Sequence, residues 1–119
     1  MVPGYYDMTI YRGGTFEIDF SAKDDDGDIS FAETYNKAEL VMYEAWYTTV
    51  DPMPPVPLYT LSTEDGTIVI AGLVVRVHLP AEITLGLPLV NGVYRMRLIV
   101  DGPDPIVDPF MEGSITIKN

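Results

Sequence analysis

The run Asp24-Asp25-Asp26-Gly27-Asp28 gathers carboxylates, the groups that bind hard cations, around a glycine. Calcium loops are built from such residues, but an EF-hand also needs alternating oxygen ligands and a distant bidentate Glu. That pattern is missing here, although Glu33 is near. Asp-Gly between two strand-like runs is also an ordinary hairpin turn. The turn is the expectation, with Asp24, Asp26 and Asp28 kept as candidate ligands of an opportunistic cation. No cofactor is expected.

His78 is the chain's single histidine, and there is no cysteine. A zinc site or a nucleophile–base pair needs neighbours that this sequence does not supply. His78 is therefore expected on an outer strand face beside Arg76. Among the eighteen acids no two stand out as an acid–base pair. Gly13-Gly14 reads as a turn, not a phosphate cradle. Catalysis is not expected.

The aromatic residues carry more. Tyr43, Trp46 and Tyr47 fall on one apolar segment, Ala38 to Tyr47. Aromatics on a sheet face stack on sugars or anchor protein interfaces. Strand alternation puts Tyr43 and Tyr47 opposite Trp46. Trp46 is expected in the core, while for the two tyrosines core and contact surface both stay open.

The elements that must position these residues are strands. Phe16, Ile18 and Phe20 alternate with Glu17, Asp19 and Ser21. Leu73, Val75, Val77 and Leu79 alternate with Val74, Arg76 and His78. Tyr94, Met96, Leu98 and Val100 alternate with Arg95, Arg97 and Ile99, and Ile115 and Ile117 with polar neighbours. Period two is the mark of a half-buried strand. Gly13-Gly14, Asp26-Gly27, Asp65-Gly66, Gly72, Asn91-Gly92 and Asp101-Gly102-Pro103 punctuate the runs. This predicts one all-β domain over residues 1–119, an immunoglobulin-like antiparallel β-sandwich of about seven or eight strands. Pro80 to Gly86 is expected to hold one helical turn. The prolines between Asp51 and Pro57 predict an extended connection.

A length of 119 residues leaves no room for a second core. A net charge of −11 with seven Lys and Arg argues against nucleic acid and anionic membrane surfaces. The nearly uncharged run from Thr67 to Val75 is too short for a membrane-spanning helix. Met1 to Asp7 has neither a basic region nor an apolar stretch, so no signal peptide is expected there.

In order along the chain, Tyr11-Arg12-Gly13-Gly14-Thr15-Phe16, the acidic turn, Ala38-Glu39-Leu40-Val41-Met42-Tyr43, Leu79-Pro80-Ala81-Glu82-Ile83-Thr84 and Asn91-Gly92-Val93-Tyr94-Arg95-Met96-Arg97-Leu98 form a series. It resembles small immunoglobulin-like bacteriophage virion domains, such as the N-terminal domains of upper baseplate proteins. Tyr94 is similar to a tyrosine corner, whose hydroxyl ties a loop to the backbone. The resemblance implies a multi-copy virion component, synthesised in the host cytoplasm, that docks on capsid, tail or fibre proteins and has no catalytic residues. The stretch Asp51–Pro57 and the loop Gly102–Phe110 depart from that pattern. Pro52, Met53, Pro55, Pro105 and Phe110 are accordingly expected as partner contacts beside Tyr43 and Tyr47. The competing expectation is a carbohydrate-binding module that uses surface tyrosines, with a cation at the acidic turn.

Overall fold

The computed structural model describes residues 4–21, 23–24, 27–28, 34–44 and 57–119. Two sheets pack face to face as a β-sandwich. The larger contains β1 (Gly4–Tyr5), β2 (Met8–Tyr11), β6 (Lys37–Glu44), β7 (Tyr59–Ser62), β10 (Val90–Val100) and β11 (Ile106–Lys118). The smaller contains β3 (Phe16–Phe20), β8 (Ile68–Ala71) and β9 (Val74–Leu79). The larger sheet runs β1-β11-β10-β6-β7, with β2 also on β11, and the smaller runs β3-β9-β8. Among the described residues no helix is long and apolar enough to cross a membrane.

Alternation decides which side chains enter the core. Ala38, Leu40 and Met42 of β6, Tyr94, Met96 and Leu98 of β10, and Ile115 and Ile117 of β11 point inward. They meet Phe20, Ile68, Val75, Val77 and Leu79 of the smaller sheet, while Met8 and Ile10 of β2 close one side. Each fully buried aliphatic side chain of this kind contributes about 1.5–3 kcal/mol.

Several expectations change. Pairing is not antiparallel throughout, because β1 and β2 both run parallel to β11. Asn91-Gly92 is no break: β10 passes through it, and Gly92 pairs with Glu44 on one side and Ile115 on the other. The ladders on both flanks override the local turn preference. Leu73 does not share the inward face of Val75. It sits in the two-residue turn after Gly72 (φ +60°), 45% exposed. A hairpin loop of that length calls for positive φ at its first central residue, which glycine supplies.

The loop expected over Gly102–Phe110 shortens to residues 101–105, since β11 begins at Ile106. A bulge makes this possible. Met96 pairs with Met111 and Arg97 with Pro109, so Phe110 is the extra residue. The bulge reverses the parity of β11: odd positions face outward before it (Val107, Pro109) and inward after it (Gly113, Ile115, Ile117), while Phe110 itself turns inward. Phe110 is 3% exposed and stands edge-on to Phe20, ring centroids 6.1 Å apart. It is a core residue in this fold, not a partner contact.

The expected helical turn is α1 (Ala81–Leu85). The Pro80 carbonyl accepts from the amides of Ile83 and Thr84. One turn is too short to persist alone. Thr84, fully buried, anchors it: its Oγ1 donates toward Gly14 O at 2.6 Å and Ala81 O at 3.0 Å and accepts from Gly13 N at 3.1 Å. Arg12 adds two bonds to the Leu85 carbonyl. The β2–β3 turn and α1 thus hold each other.

Candidate interaction surface

The outer face of the larger sheet assembles from strand register. One row across it reads Tyr5, Glu112, Arg95, Val41, Thr60. Tyr43, Val93 and Ser114 form the row on one side, and Ser62, Glu39, Arg97 and Pro109 the row on the other. Lys37, Ile99 and Val107 follow. Tyr5 is 71% exposed, whereas Val41 and Ile99, which also point outward, are buried at 8% each. A depression of about 200 Å³ opens here, lined by Tyr5, Val93, Arg95, Glu112 and Ser114 among others.

Tyr5 owes its place to a clasp on the N-terminal segment. The Tyr94 hydroxyl, on a fully buried ring, donates to the Tyr6 carbonyl at 2.5 Å. The Tyr6 amide donates to Glu112 O at 3.0 Å. Asp7 Oδ1 accepts from the Ser114 amide at 3.1 Å and its hydroxyl at 2.8 Å. Those two bonds hold the Asp7 carboxyl below its usual range, and Asp7 in turn pushes the Tyr5 phenol up. Gly113 is needed at this crossing, because a Cβ there would lie 2.1 Å from the Tyr6 carbonyl oxygen. A tyrosine corner bonds backbone only a few residues upstream, so Tyr94 is not one: its hydroxyl ties the distant N-terminal segment instead.

Cations on this face differ in their partners. Arg97 pairs with Glu39, and Lys37 with Glu64 at 2.8 Å. Lys118 sits over the Tyr11 ring, 5.3 Å from its centroid. Arg95 has no ion-pair, hydrogen-bond or ring partner among the described residues, even though Glu112 is its cross-strand neighbour. On the smaller sheet Arg76 is held by Asp19 at 2.7 and 3.0 Å, which keeps the Asp19 carboxyl low. His78 lies outward on the same strand, 3.6 Å from Glu17.

The residues singled out from sequence are scattered. Tyr43 is half-buried on the outer face opposite Val93. Pro105 is exposed at the β10–β11 tip, beside Ile106 at 56% and Val107 at 45%. Tyr47, Pro52, Met53 and Pro55 lie outside the described residues, as do Trp46 and Asp26. Within the acidic run, β4 (Lys23–Asp24) pairs antiparallel with β5 (Gly27–Asp28), Asp24 opposite Gly27. Gly27 therefore lies in a strand and not in the Asp-Gly turn expected at Asp26-Gly27. Tyr5, Arg95 and Glu112 were not singled out. Alternation marked Arg95 as outward, but nothing local tells that Tyr5 joins its row, since parallel pairing with β11 spans the whole chain. No family model matches this chain, and no curated protein matches it.

Proposed function

We propose that this chain is an immunoglobulin-like structural module of a bacteriophage particle, a decoration, collar or tail–baseplate component that works through protein–protein contacts. The observation that carries the reading is the strand order, β2-β11-β10-β6-β7 against β3-β9-β8 with the first strand parallel to the last. This is the order expected of an immunoglobulin-type sandwich, and it leaves a broad sheet face and an exposed hairpin tip for contacts. Virion modules act in many copies, so modest contacts multiply into avidity. Tyr43, Pro105 and the outer face of the larger sheet are the contacts this reading favours, and synthesis in the host cytoplasm follows from it.

One observation favours a carbohydrate-binding module instead: the exposed Tyr5 ring beside a depression bordered by Arg95, Glu112 and Ser114. Aromatic rings flanked by hydrogen-bonding groups suit sugars. The two readings separate by experiment. On the structural reading the tagged chain co-sediments with intact particles of its phage and gives no signal on a glycan array. A glycan signal lost in Tyr5→Ala, without co-sedimentation, overturns it.

A further inference from the structure

We propose that the outer face of the larger sheet is a self-complementary surface on which a second copy of this chain docks about a two-fold axis, Arg95 of each copy pairing with Glu112 of the other. A two-fold interface requires one patch to hold both halves of every contact. Arg95 and Glu112 meet that condition, being exposed neighbours on adjacent strands of one face. Neither pairs with the other, and no ion pair claims either among the described residues. The other charged groups of the face are already engaged, Arg97 with Glu39, Lys37 with Glu64 and Lys118 with Tyr11.

Charge distribution selects this face for a copy of the same chain. The outward side chains of β6, β10 and β11 include Lys37, Arg95, Arg97 and Lys118 against Glu39 and Glu112, and with Asp7 on Ser114 and Glu64 on Lys37 the face is balanced in charge. The whole chain carries −11, so most of its acidic excess lies elsewhere. Two copies repel on almost any approach, and least through this face. Tyr5, Tyr43, Val93 and Val107 add apolar surface around the central pair. Five strand positions about 4.8 Å apart and about eight residues long cover roughly 650 Å² per copy. A standard interface needs about 800 Å² per partner. The face is thus of the right order for a dimer of moderate affinity.

The test is sedimentation equilibrium of the full chain and its charge variants up to millimolar concentration, with thermal melts to establish that each is folded. Wild type is expected to dimerise. Arg95→Glu and Glu112→Arg each weaken the dimer at least tenfold. Mixing these two variants, which places opposite charges across the axis, restores association, as does the double variant R95E/E112R. A wild type that stays monomeric, or an R95E dimer as tight as wild type, overturns the proposal. So does failure of both the mixture and the double variant to restore it. The inference is independent of the virion reading: self-association without binding to particles would leave it standing and remove the other.

Discussion

At the residue scale, two side-chain identities do work that their neighbours cannot. Gly113 is needed because Tyr6 passes directly over it. Gly113→Ala is expected to push the N-terminal segment off β11 and lower the melting temperature on the order of 10 °C, since steric displacement of a packed strand costs several kcal/mol. Hydrogen exchange localised to residues 4–11 checks where the damage falls. Tyr35 illustrates a different effect. It is buried, donates to Asp108 Oδ2 at 2.7 Å, and is pushed up to about 12 first by burial and then by that carboxylate. A raised phenol stays protonated in the fold after the unfolded chain, with a value near 10, has ionised. Its contribution is therefore complete below about pH 10 and is lost as pH rises toward 12. Urea titrations across that window should show falling stability, with a shallower slope for Tyr35→Phe. Some slope remains, because burial also pushes Tyr94 up.

At the element scale, α1 and the β2–β3 turn depend on one hydroxyl. Thr84 ended a short apolar-and-proline motif in the sequence, and the structure supplies the reason a threonine stands there. Its Oγ1 satisfies an amide and a carbonyl of the Gly13-Gly14 turn. Thr84→Val keeps the shape and removes the bonds, so it is expected to cost about 1–3 kcal/mol in urea denaturation. Thr84→Ser, which keeps the hydroxyl, should lose clearly less. The strands themselves were legible wherever alternation was strict: Val75, Val77 and Leu79 face inward, and Arg76 and His78 outward, as their spacing required. The failures share one cause. Asn91-Gly92 was read from local turn chemistry and Phe110 from its place in a loop that departs from the resemblance, yet paired neighbours and a bulge fixed their conformation.

At the scale of the whole molecule, the separation of charge and apolar surface matters more than any cluster of ligands. A chain of −11 presents one sheet face on which cations and carboxylates balance, and this is where both proposals place contacts. Composition alone established the acidic excess and the want of Lys and Arg for binding phosphate, because charge is additive along a chain. Alternation and turns established an all-β sandwich, because period two needs no knowledge of partners. Which outward residues become neighbours was beyond the sequence. Tyr5, Glu112, Arg95 and Val41 come from four separate strands, and their row exists only through register between segments far apart in the chain. The N-terminal strand could have paired antiparallel elsewhere by local rules. Its parallel place on β11 is decided by the Tyr94 hydroxyl, the gap at Gly113 and the core positions filled by Met8 and Ile10, all of them tertiary contacts.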